Sequence, residues 1–214
     1  MIRPIFLTLC ALAASALTTV HAHSVWIEPG GDQQLVIRFA EPGDDFEKSP
    51  GYLDNLSTPT AFTVAAGKAV SAPALKQSNN FLLTGAAFTN VACAETTFTV
   101  RGGRKPVFYA RWQPAGAGAE KPLLTLDLVP TGKPGEVRAY FRGQPLGNVA
   151  ATLYTPDEKD QELTADADGF IHFKTGLPGQ YLLTIAHHRE QPPLAGFYAG
   201  TAYTETSHNC SLVW

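Results

Sequence analysis

Apolar side chains along this chain alternate with polar ones over short stretches, and turn-forming residues bound nearly every stretch. A period of two is the signature of half-buried strands, whereas an amphipathic helix repeats every three to four residues. The first two stretches, 24–28 and 33–40, predict strands joined at the turn Pro29-Gly-Gly-Asp32. Further strands are predicted over 61–65, 80–83, 96–101, 107–112 and 123–129. After Pro130-Thr-Gly-Lys-Pro-Gly135 the pattern becomes more regular, predicting strands over 136–142, 150–154, 171–174, 181–187 and 197–206. Sixteen prolines and nineteen glycines would interrupt most helices. The pattern therefore predicts an all-β chain of two β-sandwich lobes, 23–130 and 131–214. The short-strand spacing of the second suits an immunoglobulin-like or prealbumin-like sandwich. Trp26, Phe39, Phe62, Phe81, Phe98, Phe108 and Trp112 are expected to fill a core.

Ahead of the first strand the chain changes character. Arg3 gives a positive start, 5–20 is mostly apolar, and Val20 and Ala22 are the small residues of a cleavage site. Residues 1–22 thus read as a signal peptide, leaving His23 as the first residue of a periplasmic protein. Roughly 190 residues remain, enough for one large or two small β domains. A formal net charge of −3 gives no footprint for nucleic acid. The leader holds the only apolar run long enough to consider for a membrane, so no stable insertion is expected after cleavage.

An N-terminal histidine offers an α-amine and a ring Nδ1 close enough to chelate one ion. The amine's reference pKa of about 7.7 to 8.0 makes it easy to free near neutrality, and nitrogen-rich sites suit Cu(II) and Ni(II). His23 is therefore the leading candidate ligand. His187 and His188 end a predicted strand, so their side chains should point to opposite faces. If Tyr181, Leu183 and Ile185 face the core, His187 joins them and His188 emerges toward solvent. His208, predicted just after the last strand, is expected among loops that approach His23. His172 alternates with Ile171 and Phe173 and is expected to face solvent. Of three cysteines, Cys10 lies in the leader, leaving Cys93 and Cys210. An even count in an exported chain predicts a disulfide; the rival is thiolate metal ligation by Cys210 beside His208. Asp44, Asp45, Glu47 and Asp54 lack the offsets of a calcium loop and are expected in a solvated loop with one short helix. With no Gly-x-Ser-x-Gly elbow, phosphate-cradling loop or dinucleotide fingerprint, no enzyme is predicted.

Several stretches together resemble one known family. His23-Ser-Val-Trp-Ile-Glu-Pro29, Phe46-Glu-Lys-Ser-Pro-Gly-Tyr-Leu53, Gly143-Gln-Pro-Leu-Gly-Asn-Val149 and Thr164-Ala-Asp-Ala-Asp-Gly169 followed by Pro178-Gly-Gln-Tyr-Leu182 are similar to the bacterial domain of unknown function 4198, also called NikM-like. The resemblance implies a non-catalytic periplasmic β-sandwich protein that captures or delivers nickel, cobalt or copper. Its partner would be a membrane metal-transport component or an outer-membrane receptor. The expected ligands are His23 with His188 or His208, and His187 as a further candidate. The alternative is a structural or adhesive sandwich module that binds an envelope protein or a glycan.

Overall fold

The structure, a computed structural model, describes residues 22–87, 91–114, 117 and 121–214. The predicted leader, apart from Ala22, lies outside the described residues. In chain order the strands are β1 (Ser24–Pro29), β2 (Gln34–Ala40), β3 (Thr60–Ala65), β4 (Lys68–Ser71), β5 (Ala74–Lys76), β6 (Phe81–Ala87), β7 (Val91–Thr97), β8 (Arg104–Trp112) and β9 (Leu126–Pro130). The second half adds β10 (Glu136–Phe141), β11 (Gln144–Pro145), β12 (Ala150–Tyr154), β13 (Asp160–Thr164), β14 (Phe170–His172), β15 (Leu182–Arg189), β16 (Gly196–Tyr198), β17 (Thr201–Tyr203) and β18 (Glu205–Val213). The chain is all-β, as the period-two pattern predicts, and the acidic loop after β2 carries a short helical turn at Tyr52–Asn55.

The strands build three layers. An eight-stranded central sheet runs in the order β13-β12-β15-β18-β8-β7-β3-β4. One of its faces is covered by the sheet β1-β2-β6-β5, with β1 lying against β8 and β18. The other is covered by β9, β10, β11 and β14, with β9 lying against the same two strands. Alternation on β8 supplies both cores: Phe108, Ala110 and Trp112 pack with Ile27, Ile37 and Phe39, while Val107 and Tyr109 pack with Leu126, Leu128 and Val137. The result is two β-sandwiches that share one sheet. The punctuated stretch before Gly135 is the turn between β9 and β10, which pair antiparallel, and strands from both sides of it enter the central sheet. Gly135 has φ +71, and a Cβ there would lie 2.1 Å from the Phe173 carbonyl oxygen, so only glycine fits that turn.

Three sequence expectations need correction. The final strand is not 197–206 but β18; the expected span covers most of the small hairpin β16–β17 and the first two residues of β18. The run Ser207-His-Asn-Cys-Ser211 hides its strand character because its polar residues are buried. It pairs in parallel with β8, the one parallel pairing among the described strands. The strand expected over 96–101 lies instead at Val91–Thr97, and Phe98 beyond it makes an isolated bridge to Leu56. The Cys93–Cys210 disulfide is absent: both are buried thiols. They lie on strands flanking β8, with Cys93 opposite Arg111 and Cys210 opposite Tyr109. Two interstrand steps of about 4.8 Å separate them by more than the ~7 Å between Cα atoms that a disulfide spans.

Burial of β8 on both faces forces its polar side chains to find partners inside. Arg111 and Asp127 are both fully buried and form a two-bond pair, Nε to Oδ1 at 2.9 Å and Nη2 to Oδ2 at 2.6 Å. Gln113 Oε1 accepts from Arg111 Nη1 at 3.2 Å, and Asp127 Oδ2 accepts from the Leu123 amide at 2.8 Å. Removing one partner strands a charge. Arg111→Ala is expected to lower unfolding free energy by about 3–5 kcal/mol, measured by urea titration. A reducing agent is expected to leave the thermal midpoint of the wild-type protein unchanged, because no disulfide is there to break; loss of one would cost about 2–5 kcal/mol.

Candidate functional site

His23 stands just before β1, and the register of β1 with β2 sets its neighbours. Ser24 lies opposite Ala40, so one step outward brings His23 beside Glu41. The loop then folds back, with the Glu47 amide donating to the Phe39 carbonyl at 3.0 Å. Two carboxylates thereby flank one imidazole: Nε2 lies 2.7 Å from Glu47 Oε1 and Nδ1 lies 3.3 Å from Glu41 Oε1. The ring is held between Phe39 and Tyr52, each with its centroid 5.1 Å away. Glu41, Asp44, Asp45 and Glu47 line an open cleft of about 770 Å³ beside it.

A neutral imidazole carries one N–H. At 2.7 Å that hydrogen belongs on Nε2, donated to Glu47, and Nδ1 then turns a lone pair toward the Glu41 carboxylate. A proton or a metal cation between Nδ1 and Glu41 resolves that opposition. Cis donors of one square-planar or tetragonal ion with bonds of about 2.0–2.2 Å stand roughly 2.8–3.1 Å apart, so the 3.3 Å spacing needs only a small approach of Glu41 to bring both donors to one Cu(II) or Ni(II) ion. Glu47 takes the part of the carboxylate that fixes the tautomer of a metal-binding histidine. Among the described residues no group of three or more His, Cys, Asp and Glu side chains has the arrangement of a metal site. Side chains alone therefore do not complete one at His23.

The other candidate histidines divide between the two faces of the central sheet. On β15 and β18, Ile185 pairs with Cys210 and His188 with His208, so three steps on one strand match two on the other. This bulge places its extra residue near His187, whose φ is +58. It inverts the expected parity. His188 falls on the same face as Ile185, half-buried and edge-on to Phe141 at 4.6 Å. His187 is exposed and opens onto the pocket that His23 also lines. His172 ends β14 and is exposed, as expected.

His208 belongs to β18 rather than to a following loop, and it is only 4% exposed. Its Nδ1 meets the Tyr109 hydroxyl at 3.0 Å and its Nε2 meets Glu190 Oε1 at 3.0 Å. Glu190, ionised, only accepts, so Nε2 carries the hydrogen and the Tyr109 hydroxyl donates to Nδ1. Burial pushes the Tyr109 phenol above its ordinary pKa and keeps that donor in place. His188 completes the cluster, its ring centroid 6.5 Å from that of His208. Tyr109 and Phe108 are consecutive on β8, so the His188–His208 cluster and the aromatic wall behind His23 occupy opposite faces. The structure thus brings His188 to His208 and His187 to the pocket of His23, and it separates these two pairs. Burial, with the charge of Asp127, pushes the Cys210 thiol well above its usual pKa, which opposes the thiolate reading of that residue.

Sequence reasoning missed Glu41 and Glu47 as partners of His23. A signal existed for the first, since Glu41 directly follows the strand that pairs with β1. For Glu47 none did, because only the fold-back of the loop places it. No family model and no curated protein matches the sequence. Among solved structures the chain is similar to a two fibronectin type-III domain segment from chicken tenascin, with 12% identity, 90% of this chain and 98% of that chain covered, and a TM-score of 0.24. It is also similar to a tetra-tandem repeat in the extending region of a large adhesion protein, with 13% identity, 90% and 48% coverage, and a TM-score of 0.23. At that level of superposition the fold assignment rests on the strands and registers described above.

Burial holds His208 below its ordinary pKa of about 6.5 despite the nearby Glu190 carboxylate, and burial likewise lowers His188. Burial acts to raise Glu190, yet Arg142 and His208 hold it below its usual range overall. In each case the unfolded chain binds more protons than the folded one, so stability falls as pH drops. The loss is expected to begin below about pH 6.5 with the histidines and to continue through the carboxylate range with Glu190. Thermal midpoints should be lower at pH 5.5 than at pH 7.5, and His208→Gln should shrink the difference.

Proposed function

We propose that this chain is an exported periplasmic protein that captures or delivers a divalent transition-metal ion, Ni(II), Co(II) or Cu(II), in company with a membrane transport component. The observation that carries the reading is the pair of carboxylates on His23, one fixing Nε2 and the other facing Nδ1. Cleavage after Ala22 would add the α-amine of the same residue. The amine, Nδ1 and the Glu41 carboxylate then make a mixed nitrogen and oxygen donor set, with Glu47 orienting the ring. The reading uses the processed N-terminus to supply what side chains alone lack. An uncleaved chain, with that nitrogen tied up as an amide, would bind weakly.

The other ligand set expected from sequence, His23 with His188 or His208, is not part of this reading, because those histidines lie across the central sheet. The metal is cargo, so no catalytic step is assigned. Similarity of the motifs around His23 and Phe46 to the domain of unknown function 4198 supports export and metal handling. A second reading, a module that binds an envelope protein or glycan, draws support from the β16–β17 hairpin. Phe197 on β16 is 80% exposed, and Leu194, two residues before that strand, is 45% exposed, apolar surface suited to contact with another molecule.

Titration of Cu(II) and Ni(II) into mature protein whose mass confirms His23 at its start tests the leading reading. One-to-one binding is expected, tighter for Cu(II). Acetylating the α-amine of His23 should abolish it, Glu41→Gln should weaken it severely, and Glu47→Gln should cost about 10–100-fold. Equal, weak binding by the native and N-acetylated proteins would remove metal handling at this site and favour the module reading.

A further inference from the structure

His23 and Tyr52 also border a second concavity, of about 240 Å³, that shares none of the acidic residues of the first. Its walls are Phe39, Tyr52, Phe98 and Phe108. Phe39 and Tyr52 lie nearly parallel, 5° apart with centroids 5.8 Å from each other, and Phe98 and Phe108 lean on Phe39 at 5.6 and 5.9 Å. Behind this aromatic wall are the polar side chains of Ser207 and Asn209 on β18, both buried. Asn209 is held in place by the His187 amide, which donates to its Oδ1 at 2.9 Å, and by its own Nδ2, which donates to the Val107 carbonyl at 3.2 Å.

The charged groups lining this pocket are cationic. Arg104 is balanced, because Glu205 accepts from its Nε at 2.8 Å and also lies near Arg189. Arg101 is different. Its guanidinium sits 5.1 Å from the ring centroids of both Tyr52 and Phe98, and among the described residues no carboxylate pairs with it. Two ring faces orient the planar fork without using its N–H donors in an ion pair, which leaves a receptor matched to the two oxygens of a carboxylate. His187, turned to this side by the bulge, adds a ring nitrogen to the same lining.

We infer that this pocket binds a small aromatic carboxylate, its single ring against Tyr52 and the exposed edges of Phe98 and Phe108 and its carboxylate on Arg101. The volume sets the size. It falls below the roughly 300–1,000 Å³ of pockets that take drug-sized ligands, so one ring fits better than a fused pair. The acidic cleft on the other side of His23 would repel the same anion, which gives the ligand one orientation. The inference does not depend on metal, and it holds or fails whether or not His23 chelates an ion.

Benzoate is the probe, titrated by calorimetry into metal-free mature protein and followed by shifts in the aromatic NMR signals of His23 and His187. One-to-one binding is expected, with benzamide and acetate each at least about tenfold weaker, since one lacks the charge and the other the ring. Arg101 is exposed, so Arg101→Ala should fold normally while weakening benzoate about tenfold or more. Arg101→Lys should recover only part of the loss, because an ammonium cannot engage both oxygens as the planar fork does. The N-acetylated protein should bind benzoate like the native form even where it has lost copper, which separates this inference from the metal reading. No benzoate binding, equal binding of benzamide, or equal binding by Arg101→Ala would overturn it.

Discussion

The middle strands of the central sheet, β8 and β18, are covered on both faces, and that single constraint governs the rest of the molecule. A strand in such a sheet has no solvent side on which to leave a polar group, so every polar side chain on β8 and β18 needs an internal partner. Arg111 finds Asp127 on one face. Ser211 donates to the Val25 carbonyl at 2.7 Å on the other, tying the last strand to the first. Asn209 bridges to the β8 backbone, and His208 is bracketed by Tyr109 and Glu190. These groups hold the three layers in one relative position, because any slip would leave buried donors and acceptors unmatched.

The same constraint decides where the histidines go. An uninterrupted β15 would have placed His187 on the face of the second core and His188 on the first. The extra residue in the bulge exchanges them, sending His188 into a cluster with His208 and Phe141 and His187 outward to the neighbourhood of His23. Bulges often re-aim side chains beside functional surfaces. Here one bulge sends His188 to the buried His208 and His187 to the accessible side with His23.

Around His23 the charge is arranged in two parts. Glu41, Asp44, Asp45 and Glu47 gather on one side, and Arg101, Arg104 and His187 on the other, with the His23 and Tyr52 rings between them. Such a division would let a cation and an organic anion sit within reach of one residue without sharing a surface. Phe39, which packs against both of these rings, belongs to the first core and gives them a rigid backing.

From the sequence alone, the all-β class, the turn before β10 and most of the longer strands were legible, because alternation and turn residues are local signals. His23 stood out because its place at the end of a leader-like segment is a property of chain order. Edge strands such as β4 and β13 were not legible, being short and mostly exposed, and β18 was hidden by the polar residues it buries. The shared central sheet, the parallel pairing of β18 with β8 and the distance between Cys93 and Cys210 depend on which strands become neighbours. That choice follows from burying both faces at once, and no local pattern carries it. Glu41, Glu47 and Arg101 likewise acquire roles only where loop and strand ends converge. Local periodicity determined what kind of elements form; tertiary packing decided which side chains meet, because contacts between residues distant along the chain exist only after the layers close.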